Sequence, residues 1–221
     1  MSSTKHRGPK PALPTKQARS SGVMWWLVPL TIIVSLFGLY GIFNNASTSK
    51  TSASGSGYDV GSPGVGQAAP AFSLTDKTGR QISLKDYAGK NLLLFFQEGL
   101  ACPPCWDQIA DLEKDPQRLK AAGVDALVSI TTDPADLISR KLSDMGLTTP
   151  VLSDPGTTVS RKYGATQFVM AGHDSTDGHT FILVGPDGII RWRADYGGPP
   201  NYTMFVPLDR LFADLRAGLK S

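Results

Sequence analysis

Cysteine and histidine are scarce in this chain. Among 221 residues there are two cysteines, Cys102 and Cys105, and three histidines, His6, His173 and His179. Tetrahedral structural zinc takes four Cys or His ligands, so half of a zinc site is a poor reading of the pair. With no third cysteine, no resolving thiol exists elsewhere in the chain. The pair acts by itself or with another molecule. Acidic residues are missing from the first 22 positions, which hold Lys5, Arg7, Lys10, Lys16 and Arg19. Taking those five charges from the formal +3 leaves −2 for the remainder. The basic character therefore belongs to the tail, and nucleic-acid binding by the folded part has no support. Internal repeats are also absent.

Charge is missing altogether from Val23 to Phe43, where Trp25, Trp26, Leu27, Ile32, Ile33, Leu36, Phe37, Tyr40 and Phe43 are among the apolar residues. About 20 apolar residues cross a bilayer as a helix, and Trp25, Trp26 and Tyr40 stand where interfacial aromatics belong. We expect a single transmembrane signal-anchor helix over 23–43. Its rival is a cleaved signal peptide, whose apolar core is shorter and ends at a small-x-small site, which Asn44-Asn45-Ala46-Ser47 matches poorly. The basic excess before the span orients the N-terminus to the cytoplasm and the C-terminal part outside, in an oxidising compartment. Residues 1–22 read as a disordered basic cytoplasmic tail. Residues 44–66, rich in Ser, Thr, Gly, Ala and Asn, read as a flexible linker. Residues 67–221 then form one domain.

What is present is the run Leu100-Ala101-Cys102-Pro103-Pro104-Cys105-Trp106. It lies between an apolar strand-like segment and a helix-like one. Two thiols three apart can close a disulfide ring across the first turn of a helix. The free N–H groups and positive dipole end there stabilise a thiolate. Helix N-termini in Cys-X-X-Cys motifs lower the thiol pKa from roughly 8.5 to between about 3.5 and 7.5. The two prolines stiffen the loop and suit the first helical positions. A purely structural disulfide is the bland alternative, and so short a loop removes little unfolded-state entropy. The pattern predicts Cys102 as the exposed nucleophile and Cys105 as the buried resolver, forming a redox-active disulfide.

Elsewhere the domain alternates strand and helix signals. Residues 71–74 and 81–84 flank the turn Asp76-Lys77-Thr78-Gly79, a hairpin. Asn91 to Phe96 is a continuous apolar run, as in a strand buried on both faces. A helix is expected from around the second cysteine, and Asp115-Pro116 starts a further turn. Val124 to Ile130 is a strand, and Asp133-Pro134 caps a helix that stops at Gly146. Thr180 to Val184 and Ile189 to Ala194 form a hairpin about Gly185-Pro186-Asp187-Gly188. The closing amphipathic helix carries Leu208, Leu211, Phe212 and Leu215. The fold class is α/β: βαβ followed by ββα on a mixed central sheet flanked by helices, preceded by an N-terminal hairpin and the membrane span.

This order, with Cys-Pro-Pro-Cys at the junction of the first core strand and its helix, resembles the thioredoxin-like fold. More narrowly it resembles the alkyl hydroperoxide reductase/thiol-specific antioxidant (redoxin) family, in its branch of membrane-anchored thiol-disulfide oxidoreductases. The segments carrying the likeness are Phe72-Ser73-Leu74, Ile82 to Lys90, Leu92 to Phe96, Leu152 to Pro155 with Tyr163-Gly164, and Thr180 to Val184 with Pro186-Asp187-Gly188. Three features depart from the families' patterns. Thioredoxins place a cis-proline before the third core strand, where this chain reads Asp177-Gly178-His179-Thr180. Peroxiredoxins carry Thr or Ser three residues before the peroxidatic cysteine, whereas Gly99 stands three before Cys102 and Cys102 three before Cys105. The approach 97–101 is about one residue longer than in thioredoxin-like reductases.

Around the motif, Glu98 is expected to tune a cysteine or to sit solvated on its loop. Trp106 either shields the disulfide or simply packs. His179 and Thr180 stand where the facing loop should be; His179 is either an ordinary exposed histidine or, beside a thiolate, a group that would stabilise it. A donor from across the site would come from His179 or Arg191. His173, Asp174 and Asp177 read as a surface loop.

The resemblance implies a membrane-tethered extracytoplasmic thiol-disulfide oxidoreductase. Its partners would be disulfide- or dithiol-bearing proteins and an upstream electron donor, and it needs neither cofactor nor metal. Two other readings compete. One is a thiol-dependent peroxidase with antioxidant activity. The other is a copper-binding assembly factor of the Sco type, since two thiolates and an imidazole suit copper. The Sco pattern has three residues between its cysteines and a His where this chain has Thr176.

Overall fold

The computed structural model describes Tyr58, residues 60–169 and residues 176–220. The expected tail 1–22, the span 23–43, the linker up to 57, and His173 with Asp174 lie outside the described residues. Among the described residues, no helix is long and apolar enough to cross a membrane.

Seven strands form one mixed sheet: β1 (Ser73–Thr75), β2 (Gln81–Ser83), β3 (Leu92–Phe96), β4 (Ala126–Thr131), β5 (Val151–Ser153), β6 (Thr180–Val184) and β7 (Ile190–Asp195), in the order β2-β1-β5-β4-β3-β6-β7. β3, β4 and β5 run parallel; β6 is antiparallel to β3, and β7 to β6. The expected hairpin β1–β2 is not a separate preface, because Thr75 pairs with Ser153 and adds the hairpin to the sheet edge. Five helices complete the domain: α1 (Pro103–Lys114), α2 (Pro116–Ala121), α3 (Ala135–Met145), α4 (Thr158–Lys162) and α5 (Leu208–Gly218).

The apolar run in β3 is explained by its neighbours. Leu93 and Phe95 face one core with Cys105, Trp106, Ile109 and Leu112 of α1 and with α5. Leu92, Leu94 and Phe96 face a second core with Ile82, Val128, Leu152 and Tyr163. Alternate side chains leave a strand on opposite sides, so a central strand covered on both must be apolar throughout. Each fully buried Leu or Phe contributes about 1.5–3 kcal/mol, which makes β3 a firm base for the cysteine motif at its C-terminal end.

Two boundaries differ from the sequence reading. Helix α1 begins at Pro103, ahead of the second cysteine, because prolines fit its first positions, where no N–H partner is required. The end of the presumed linker is folded onto the domain. Tyr58 packs on Trp192 and Tyr196, with ring centroids 6.4 and 4.8 Å apart. The Gly61 N–H donates to Asp195 Oδ2 at 2.7 Å, and the Pro63 carbonyl accepts from Arg193 at 3.0 Å. Ser/Gly composition concealed a segment held by an aromatic ring and by backbone hydrogen bonds, the Gly66 N–H to the Ile190 carbonyl among them.

Candidate redox-active site

The C-terminal end of β3 opens into the motif. Beside it lie the end of β4, the start of β6 and the end of β7, because Phe96 pairs with Ile130 and Thr180, and Thr180 with Asp195. Cys102 and Cys105 are joined as a disulfide with Cα atoms 5.4 Å apart, at the first turn of α1. Cys105 is fully buried, and Cys102 is 4% exposed. The order of accessibility matches the expectation, but Cys102 is not exposed. The turn Gly99–Ala101 and the closed ring leave only its edge to solvent, between exposed Ala101 and Pro103.

The approach to Cys102 is pinned from several directions. The Gly99 N–H donates to the Gln97 side chain at 3.1 Å, and the Leu100 N–H donates to Asp133 Oδ2 at 2.7 Å. The Gly99 carbonyl accepts from the Cys102 N–H and from Trp106 Nε1, both at 3.0 Å. Trp106 is wholly buried, so its indole holds the turn rather than lying over the disulfide as a shield. Gly99 has φ +82°, a conformation that glycine alone adopts without penalty. A Cβ at that position would overlap Asp133 Oδ2 and Thr131 Oγ1. A Thr or Ser three residues before Cys102 would therefore be strained in this loop and would displace the Asp133 and Thr131 side chains.

The facing wall comes from the segment before β6. His179 occupies the place directly ahead of that strand, is fully buried, and sets Nδ1 3.8 Å from Cys105 Sγ. Its ring meets Phe95 and Phe181 edge-on, with centroids 4.7 and 5.4 Å away. Burial lowers its pKa to about 3, so the imidazole is neutral at physiological pH. His179 thus contacts Cys105 and is buried, not an ordinary exposed histidine. Thr180 is not on the sulfurs; its hydroxyl donates to Asp195 Oδ1 at 2.8 Å.

Glu98 is buried rather than solvated. Arg191 lies at the far hairpin turn, paired with Asp187 at 2.5 Å, and is no donor to the site. Asp177, expected on a surface loop, is fully buried beside Ser160 and Asp154. Burial pushes its carboxyl up to about 8; the Ser160 hydrogen bond opposes this and the Asp154 charge adds to it. The Ser160 hydroxyl lies 2.8 Å from Asp154 Oδ2 and 3.0 Å from Asp177 Oδ2. One hydroxyl proton cannot serve two carboxylates, and the second proton belongs to Asp177.

Sequence reasoning missed Asp133 as the anchor of the approach loop, having assigned it to a helix start. It also missed the buried pair Arg193–Asp195, whose contacts are 2.7 and 2.8 Å. An Arg and an Asp two apart on a strand share one face, and that alternation was the available signal. No group of three His, Cys, Asp or Glu side chains capable of holding a metal occurs among the described residues.

A Cys-X-X-Cys disulfide at the helix following the central strand of such a sheet defines a thioredoxin-like redox protein. Residues 65–193 match the AhpC/TSA family, and the chain belongs to it. Peroxiredoxin Bcp of Escherichia coli is 35% identical over 127 residues, covering 58% of this chain and 74% of its own length. A putative peroxiredoxin of Mycobacterium tuberculosis is 34% identical over 100 residues, 45% of this chain and 63% of that protein. The thiol-disulfide oxidoreductase ResA of Halalkalibacterium halodurans is 32% identical over 100 residues, 45% of this chain and 56% of its own. The alignments thus span less than two thirds of the latter two relatives. Among solved structures, peroxidoxin BcpB of Mycobacterium tuberculosis superposes with a TM-score of 0.57 at 20% identity, over 70% of this chain and 97% of that one. At such identity the likeness shows the fold alone. The protein is a member of the redoxin family with a paired-cysteine site.

Proposed function

We propose that the protein is a thiol-disulfide oxidoreductase that exchanges the Cys102–Cys105 dithiol and disulfide with protein partners. In the reductive direction the Cys102 thiolate attacks a partner disulfide. A mixed disulfide forms and one partner sulfur leaves as thiolate. Cys105 then attacks Cys102 Sγ, the intramolecular disulfide closes, and the second partner sulfur leaves; two electrons pass to the partner. The reverse sequence oxidises a partner, and direction follows the potential relative to the compartment.

The observation that carries this reading is the closed space at Gly99 beside a paired cysteine at a helix N-terminus. Relatives named peroxiredoxin favour a second reading, peroxide reduction. That chemistry gains from a hydroxyl donor near the attacking thiolate, and a side chain in the donor's position would be strained here. Fixed donors of this type are worth about 3–4 kcal/mol in acyl-transfer sites, or two to three powers of ten in rate. Stopped-flow oxidation of the reduced protein by hydrogen peroxide, beside its exchange with a model disulfide at equal pH, decides between them. Exchange should be faster by at least tenfold. Faster peroxide reaction through a Cys102 sulfenic acid would promote the peroxidase.

The charge-free run 23–43 after a basic tail supports a membrane tether with the domain outside the cytoplasm. Protease added to intact cells should then remove the domain, and a soluble mature protein would refute the tether.

A further inference from the structure

His179 is a buried imidazole facing a sulfur, and its hydrogen-bonding needs change with the redox state of that sulfur. A neutral imidazole has one donor and one acceptor nitrogen. With Cys102 and Cys105 joined, neither sulfur carries a proton, so Nδ1, 3.8 Å from Cys105 Sγ, can meet it only as a donor to a weak sulfur acceptor. Nε2 has no hydrogen-bond partner among the described residues. In the dithiol state, Cys105 acquires an S–H at the same place, and Nδ1 becomes its acceptor. Burial against Phe95 and Phe181 excludes competing water and fixes the ring where this bond can form.

We propose that His179 is a positioning residue for Cys105: its Nδ1 accepts the S–H hydrogen bond of the dithiol, stabilises the reduced state and aims Cys105 Sγ at Cys102. The inference rests on the exchange reading, in which the pair cycles between both states. During resolution the Cys105 S–H, polarised by Nδ1, gives up its proton as its sulfur bonds to Cys102 Sγ. The Cys102–partner bond breaks, and the departing partner thiolate takes up the proton. The imidazole ends neutral, as it began.

A hydrogen bond stronger in one redox state than in the other shifts the exchange equilibrium by the difference, here about fivefold, or about 20 mV for a two-electron couple. His179→Phe keeps an aromatic ring beside Phe95 and Phe181 and removes the acceptor. His179→Asn replaces Nδ1 with an amide oxygen. Equilibration of the full chain with glutathione buffers should show His179→Phe displaced about fivefold toward the disulfide and His179→Asn returned at least half-way. Equal constants for wild type and Phe, or equal displacement by Phe and Asn, would overturn the proposal.

Nitrogen NMR of the unsubstituted protein gives a second reading that does not depend on the variants folding. In chemically reduced protein, His179 should carry its proton on Nε2, with Nδ1 shifted as a hydrogen-bond acceptor. A proton on Nδ1 would refute the assignment. Because neither measurement uses a protein partner or peroxide, failure here is distinct from failure of the exchange reading.

Discussion

On one side of the disulfide, the stretch from Gln97 to Cys102 has its backbone groups engaged: Gly99 N with Gln97, Leu100 N with Asp133, and the Gly99 carbonyl with Cys102 and Trp106. On the other side, residues 177–179 bury two titratable side chains with atoms left over. Asp177 Oδ1 and His179 Nε2 have no hydrogen-bond partner among the described residues. Buried polar groups are nearly always paired, so these two atoms carry a cost. Cys102 thus adjoins a hydrogen-bonded backbone turn, while Cys105 faces a buried imidazole. A thiol site divided in this way keeps its geometry constant and lets its energetics respond.

The sharpest way to break the contrast is to overfill the pinned wall. Gly99→Thr places a branched side chain at positive φ against Asp133 and Thr131, and we expect a loss of about 3–5 kcal/mol in urea unfolding. It should bring no gain in peroxide turnover, although it installs the residue type that peroxiredoxins use.

The responsive wall should show itself in the pH dependence of stability. The folded Asp177 carboxyl titrates near 8, against an ordinary value of 3.8. Below about pH 4 it is protonated in both states. Between about 4 and 8 only the unfolded chain ionises, so stability falls as pH rises and then levels off. From pH 6.5 to 8, where His179 is neutral in both states, we expect a loss of about 2 kcal/mol in thermal or urea melts, at about 1.4 kcal/mol per unit, and a flatter profile in Asp177→Asn. His179 acts oppositely: its folded value near 3 lies below 6.5, so its contribution is lost as pH falls from 6.5 toward 3. Between about pH 4 and 6.5 the two contributions offset each other, so in His179→Phe stability should rise as pH falls there, with the alkaline limb unchanged. A wild-type profile flat from pH 6.5 to 8 would erase the distinction between the walls.

The smallest expected effect concerns Trp106. Trp106→Phe keeps most of the packing and removes one hydrogen bond to the Gly99 carbonyl, which retains the Cys102 N–H. A loss of about 1–2 kcal/mol, with the exchange rate within threefold of wild type, fits a role in holding the turn. A tenfold fall in rate at equal stability would give the indole a part in the chemistry.

Much of this architecture is legible from short-range pattern. β3 and β6 follow from unbroken apolar runs, and the stop of α3 follows from Gly146, which adopts the left-handed conformation at the helix end. The cysteine pair was legible because its spacing and its prolines carry their own local physics. The walls were not. Asp133 acts on Leu100 across 33 positions, and Asp177 on Ser160 across 17. Nothing within a helical turn or a strand repeat announces such partners. Asp177 was read as exposed because Gly-rich, polar surroundings usually are, and Tyr58 as linker for the same reason. In both cases one long-range contact overrides composition.

The crowding at Gly99 also bears on how a sequence like this one can change over generations. Exchange and peroxide reduction are named among its relatives, and the two patterns differ at the residue three before a cysteine. Here that residue cannot vary alone. A hydroxyl side chain needs the space held by the Asp133 carboxylate, while losing that carboxylate first strands the Leu100 N–H. Each single step is a valley, and only the joint replacement with a reshaped turn leads across, a non-additivity expected of residues in direct contact.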